Sequence, residues 1–346
     1  MAKQYAMFCT ALIISIAVTP FIIKFAFKIG AMDVPRDNRR VHKVPVPLIG
    51  GLAIYLAFTI SVILFTELNQ RIVGLLIGGT FIMLSGLADD IRPLGPKTKL
   101  LLQVIGAVIL ICFGISIRYV TNPFDRVTGM ADIGIFSIPA TIFWIVGVTN
   151  AFNLIDGLDG LAAGIASISC ITLFIVSVLN GRMGTAALTA ALAGSTIGFL
   201  PYNFNPAKIF MGDTGAQFLG FILAAISIEG AIKSAAAIAI TVPILALGLP
   251  IYDTLMAIIR RSLNKKPVMQ GDRGHLHHKL LDMGLSQRQA VVVMYIISGL
   301  LGISAIFATE LSTVQSFFVL ISVLCIILIL SKEVGLLKKN KGEENQ

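Results

Sequence analysis

Four oxygen-bearing side chains interrupt the apolar stretch WIVGVTNAFNLIDGLDGLAAGI (144–165): Asn150, Asn153, Asp156 and Asp159, three residues apart, with a glycine after each aspartate. Further along, FMGDTGAQ sets Asp213 between small residues at the head of another apolar run. Oxygens such as those of Asn153 and Asp213 suit Mg²⁺, which takes a few protein ligands and leaves the rest to water and phosphate. LADDIRP carries the paired acids Asp89 and Asp90, and Lys97 and Lys99 follow at the foot of the next apolar run, where an ammonium can meet phosphate oxygens. GHLHHKL gathers His275, His277 and His278 beside Arg273 and Lys279. No cysteine stands near them and HxHH is not a standard zinc spacing, so a cradle for a pyrophosphate fits better. The remaining histidine, His42, lies among Arg36, Arg39, Arg40 and Lys43.

Each cluster also has a plainer reading. Asp89 and Asp90 could mark a membrane boundary, although acids there are costly. Along a straight helix, steps of three residues drift by about 60° each, so only Asn150 and Asn153 share a face. DGLDG suggests that the helix ends or tightens near Asp156, with glycines letting the backbone turn. A capped helix end accounts for one Asn and one Gly, but not for four oxygens. Asp213 could be only an N-cap, and Phe210 either packs in a core or stacks on a base. The arginines around His42 serve topology or substrate contact equally well.

The elements that must position these residues follow from composition. Of 346 residues, 56% are hydrophobic and 13% charged, whereas a soluble domain carries about 25% charge. Apolar runs long enough for a hydrocarbon core of about 30 Å recur throughout. An all-α polytopic membrane protein is expected, because lipid cannot satisfy open backbone groups and the alternation of a barrel is missing. Eleven candidate spans are read at about 6–28, 49–66, 72–88, 99–117, 134–150, 161–179, 185–200, 214–230, 235–255, 290–308 and 313–331. The Ala- and Gly-rich 185–200 is the weakest, so ten or eleven spans are expected. They form one membrane domain over 1–331, followed by a basic cytoplasmic tail over 332–346. The four cysteines fall in apolar runs and read as small buried hydrophobes.

Most of the 27 lysines and arginines fall on one side if the loop after the first span is cytoplasmic. The N-terminus is then outside and the C-terminus cytoplasmic. The net charge of +9 is largely this topological signature, which argues against nucleic-acid binding. All five polar clusters fall on the cytoplasmic side, where an active site can form.

Taken in order, RxxHxxPVPLIGG (39–51), DDIRPLGPKTKLLLQ (89–103), NAFNLIDGLDGLAAG (150–164), KIFMGDTGAQFLG (208–220) and RGHLHHKLLDMG (273–284) resemble the motifs of the polyprenyl-phosphate N-acetylhexosamine-1-phosphate transferases. That family includes the initiating enzymes of teichoic-acid and O-antigen synthesis and the phospho-MurNAc-pentapeptide translocases. The resemblance implies a bacterial plasma-membrane enzyme in which a lipid phosphate attacks the β-phosphorus of a UDP-N-acetylhexosamine and UMP leaves. It implies a Mg²⁺ site at Asn153 and Asp213, with Mn²⁺ as an alternative, and catalytic carboxylates at Asp89 and Asp90. Lys99 would bind phosphate, and Asp156 and Asp159 would form the active-site loop. Phe210 would stack on uracil, and His275, His277 and His278 would meet the diphosphate-sugar end. His42, Asn150 and Arg273 join the expected substrate contacts. Leu276 breaks what is a contiguous run of three histidines in the translocases, which favours GlcNAc-1-phosphate, and HHKLLDMGLSQRQAV resembles the teichoic-acid linkage initiators. The family sometimes forms homodimers.

Three rivals remain. A transporter also buries acids in broken helices, but near the midplane and often in repeats. A CDP-alcohol phosphotransferase needs an arginine that DGLDGLA lacks. A prenyl-diphosphate-ionising enzyme needs DDxxD, and Pro93 stands at the third acid's place.

Overall fold

The computed structural model describes residues 1–34, 45–121, 130–231, 241–265, 267 and 274–333. Helices dominate: α1 (Ala2–Ile29), α2 (Gly51–Phe65), α3 (Gln70–Ile91), α4 (Pro96–Cys112), α5 (Ser137–Ile155), α6 (Leu161–Leu179), α7 (Met183–Asn203), α8 (Gly212–Ala231), α9 (Thr241–Ala246), α10 (Gly248–Leu263), α11 (Leu276–Asp282), α12 (Gln287–Ala308) and α13 (Thr313–Glu333). Two short antiparallel ribbons join them. Strand β1 (Met32–Asp33) pairs with β2 (Val46–Pro47), and β3 (Tyr119–Thr121) with β4 (Met130–Asp132).

Helix α8 is the hub, packed against α2, α3 and α5, with Phe218, Leu219, Phe221, Ile222 and Leu223 fully or almost fully buried. A helix enclosed by other helices can carry Asp213, Gln217 and Glu229 without meeting lipid. The Ala- and Gly-rich segment read as the weakest span is the 21-residue α7, and its small residues are the reason it packs so closely. Gly194 and Gly198, a GxxxG pair, lie against the backbone of α1 at Phe8 and Leu12, where a Cβ would collide with carbonyl oxygens. Small residues at this spacing let membrane helices touch backbone to backbone. The Ser15 hydroxyl adds a 2.7 Å hydrogen bond to the Ser195 carbonyl.

By length and composition, six helices among the described residues are long and apolar enough to cross a membrane, and α2 is a shorter apolar helix. Helix α2 has 15 residues, about 22 Å at ~1.5 Å per residue, short of a core of about 30 Å. The run read as 235–255 is helical from Thr241, within the described residues, and breaks at Leu247 between α9 and α10. Three cysteines also depart from expectation: Cys170 is buried, whereas Cys9, Cys112 and Cys325 are exposed on their helices. Residues 334–346, nearly all of the expected tail, lie outside the described residues.

Candidate active site

The C-terminal ends of α3, α5 and α7 and the N-terminal ends of α4, α8 and α12 surround an open cavity of about 420 Å³. Helix α3 runs two residues past Asp89, so the paired acids sit in its last turn rather than in a following loop. Asp89 and Asp90 then face different partners. The Lys99 ammonium lies 2.5 Å from Asp89 Oδ2 and 2.8 Å from Asp213 Oδ2. Asp89 Oδ1 accepts the Leu94 amide at 2.6 Å. Both oxygens of Asp90 are occupied by the start of α8: Oδ1 accepts the Asp213 amide at 2.8 Å, and Oδ2 the Thr214 amide at 2.9 Å and hydroxyl at 2.5 Å. Asp90 is thus a cap supplied to α8 by another helix, satisfying amides that a helix N-terminus leaves open. Gly212 makes that approach feasible: its φ is +69°, and a side chain there would strike the Leu48 carbonyl and Asp90.

The first motif is built into the same wall. Gly50 and Gly51 donate their amides to the carbonyls of Phe210 and Met211 at 2.9 Å, and the Phe210 amide donates to Pro47 at 2.8 Å. These bonds hold the Phe210 backbone between PVPLIGG and α8. Asp159 fixes the far side of the same loop, accepting from Asn205 Nδ2 at 2.9 Å and the Ala207 amide at 3.0 Å through Oδ2.

Nine sequence-predicted residues line the cavity: Asp89, Asp90, Lys99, Asn153, Asp156, Asp159, Phe210, Asp213 and His278. Helix α5 ends at Ile155, leaving Asp156 as its C-cap. Three others are placed differently. Asn150 is turned away from the cavity into a buried amide network: its Nδ2 donates to Gln103 Oε1 at 2.6 Å, Gln103 Nε2 donates to Gln217 Oε1 at 3.2 Å, and Gln217 Nε2 donates to Asp213 Oδ2 at 2.9 Å. Three amides in register satisfy one another away from water, which is why Asn150 is not at the surface of the site. His275 and His277 are buried behind His278 rather than in the cavity wall. His42 and Arg273 lie outside the described residues.

Sequence reading missed Asp33, Asn203 and Gln287, which also line the cavity, together with Gln103, Gln217 and Thr214 behind it. Polar residues at this end of an apolar helix were the available signal for Gln103 and Gln217. Asp33 and Gln287 carry none.

Charge dominates the cavity. Among the described residues, six aspartates line it against the single lysine Lys99. Burial, followed by the charges of Asp213, Asp90 and Asp159, pushes Asp156 up to about 8. Such an excess of carboxylate is what a bound cation relieves. Among the described residues no three His, Cys, Asp or Glu groups form a closed metal cage. Asn153 and Asp213 both line the cavity wall. One amide oxygen and one carboxylate at an open cavity fit a hard ion that keeps positions for water and phosphate, as Mg²⁺ does.

The profile of glycosyl transferase family 4 matches residues 72–231. A probable undecaprenyl-phosphate N-acetylglucosaminyl 1-phosphate transferase of Bacillus subtilis is 39% identical, covering 98% of this chain and 94% of the relative. A decaprenyl-phosphate N-acetylglucosaminephosphotransferase of Mycolicibacterium smegmatis is 34% identical over 86% of this chain and 80% of its own. A phospho-N-acetylmuramoyl-pentapeptide-transferase of Thermoanaerobacter sp. is 33% identical over 83% and 93%. Similarity on this scale sets aside the transporter, CDP-alcohol and prenyl-diphosphate alternatives: the chain belongs to glycosyl transferase family 4.

Proposed function

We propose that the protein transfers N-acetylglucosamine 1-phosphate from UDP-GlcNAc to undecaprenyl phosphate, as the first step of a teichoic acid or related cell-wall glycan. A phosphate oxygen of the lipid attacks the β-phosphorus, the bond from that phosphorus to the bridging oxygen breaks, UMP leaves, and lipid-diphospho-GlcNAc remains. The observation carrying this reading is Lys99, held between Asp89 and Asp213 in the wall of a carboxylate-lined cavity.

Asn153 and Asp213 would hold a Mg²⁺ ion, which supplies charge neutralisation for the diphosphate and the leaving UMP. Lys99 meets the phosphate oxygens, with Asp89 fixing its ammonium. Asp90 is committed to the α8 amides and so holds Asp213 in place. A phosphate monoester with a second pKa near ~6 is largely dianionic at neutral pH, so its oxygen needs no strong base. With Asp89 engaged by Lys99 and Leu94, and Asp90 by α8, direct displacement is favoured over attack by an aspartate. Phe210 offers an aromatic face for the uracil.

The excess of lysine and arginine in the loops at the cavity end supports a cytoplasmic site, with the N-terminus outside and the C-terminus inside. Leu276 between the histidines supports GlcNAc over MurNAc-pentapeptide as the sugar. The purified protein, given UDP-GlcNAc labelled with ³²P at the β-position and undecaprenyl phosphate, is expected to pass label to the lipid with one UMP released per transfer. Preference for UDP-MurNAc-pentapeptide in competition would refute the sugar assignment. No labelled lipid from either donor would refute the reaction.

A further inference from the structure

Behind the cavity, in a segment the sequence reads as membrane span, a second carboxylate is buried. Asp253 lies on α10 and is only 3% exposed. Its Oδ2 is 2.7 Å from Nδ1 of His275, and its Oδ1 accepts the Leu276 amide at 2.8 Å. A buried carboxylate is costly unless its oxygens are engaged, and here both are committed to the first residues of the histidine motif. An ionised carboxylate only accepts, so His275 carries its proton on Nδ1, and one tautomer is fixed.

From that anchor the rings run toward the cavity. His277 stacks on His275 with centroids 5.7 Å apart and planes within 8°, and His278 follows at 4.2 Å. His277 is buried, and burial followed by the charge of His278 lowers it to about 3, so it is a neutral spacer. It packs against Gly157 of the Asp156 loop. Only the last ring of the three, His278, lines the cavity.

We propose that Asp253 is a positioning residue of this enzyme. It holds the start of α11 and the tautomer of His275, and through the packed rings it sets where His278 meets the substrate's diphosphate. The proposal rests on the reading of the cavity as the transfer site. It makes His275 and His277 the support of His278 rather than substrate contacts themselves.

The test compares wild type, D253N and D253A as full-length protein in lipid nanodiscs. Three quantities are read: melting temperature, KM and kcat for UDP-GlcNAc, and the rate at which diethyl pyrocarbonate modifies His278, followed by mass spectrometry. Asparagine keeps an acceptor for the Leu276 amide but cannot enforce the His275 tautomer. A displaced His278 weakens ground-state binding, so D253A is expected to raise KM about tenfold with kcat nearly unchanged and to alter the His278 modification rate at least threefold. D253N should fall between. The modification rate reads His278 placement even if UDP-GlcNAc proves not to be the donor, which separates failure of this proposal from failure of the functional reading. Folded D253A with KM and His278 reactivity within twofold of wild type overturns the proposal. So does a D253N that is lost as folded protein along with D253A, since Asp253 would then serve folding alone.

Discussion

Replacing Asp90 separates a cap from a base. In the structure its carboxylate takes three hydrogen bonds from the first turn of α8: the Asp213 amide at 2.8 Å, the Thr214 amide at 2.9 Å and the Thr214 hydroxyl at 2.5 Å. Hydrogen bonds to a charged group are worth about 1.5–3 kcal/mol each, but they share one side chain and do not add. Loss of an N-cap costs about 1 kcal/mol, up to ~2, and a negative charge at a helix N-terminus adds up to about 2 kcal/mol in a partly buried setting. Asp90→Ala is therefore expected to destabilise by about 3 kcal/mol. Asp90→Asn keeps one acceptor oxygen and is expected to cost about 1 kcal/mol, since asparagine caps helices as well as aspartate does. Activity should follow the same order, because Asp213 is the second residue of α8 and moves when the helix start frays. The assay is thermal melting in detergent beside kcat/KM for UDP-GlcNAc. Expected values are a loss of about 100-fold for alanine and about tenfold or less for asparagine, on the scale of ~1.4 kcal/mol per tenfold. If asparagine is as inactive as alanine while both melt like wild type, the charge or proton of Asp90 is needed chemically and the cap account is refuted.

Phe210→Ala should raise KM for the UDP-sugar, since a stacked base is worth about 1–3 kcal/mol; an unchanged KM removes the stacking role. Gly157→Ala would bring a Cβ to 2.5 Å from His277 Nε2 and 2.8 Å from its Cε1, and overpacking of this kind costs about 1–3 kcal/mol. That variant should lose activity at least tenfold, and wild-type kinetics would show that the two loops are not packed so closely. The raised Asp156, at about 8, penalises its charged form, so stability without metal should fall as pH rises from about 4 to about 8. Mg²⁺ should accordingly raise the melting temperature more at pH 8.5 than at pH 6; an equal rise at both would contradict the link between carboxylate charge and the cation.

The motif residues at helix ends were legible from sequence because polar groups against apolar runs have few inexpensive places to go. Asp89, Asn153, Asp156 and Asp213 needed only a common end of the bundle to meet, and they do meet there. The division of labour within the motifs was not legible. Asp89 and Asp90 are adjacent, yet a turn of about 100° per residue sends one to Lys99 and the other to α8. Asn150 and Asn153 share a helical face, yet a partner 47 residues away, Gln103, draws Asn150 into the bundle. Asp253 falls in the run read as the span 235–255, and neither the break at Leu247 nor its hydrogen bond with His275 could be read there, because both are tertiary facts.

The claim on which the rest depends is that Asn153 and Asp213 hold one divalent cation at the cavity. Electron paramagnetic resonance titration of Mn²⁺ into the purified protein measures this directly. The account predicts one saturable site that tightens with UDP-GlcNAc and disappears in Asp213→Ala and Asn153→Ala, both still folded. A site of unchanged affinity in both variants would contradict it.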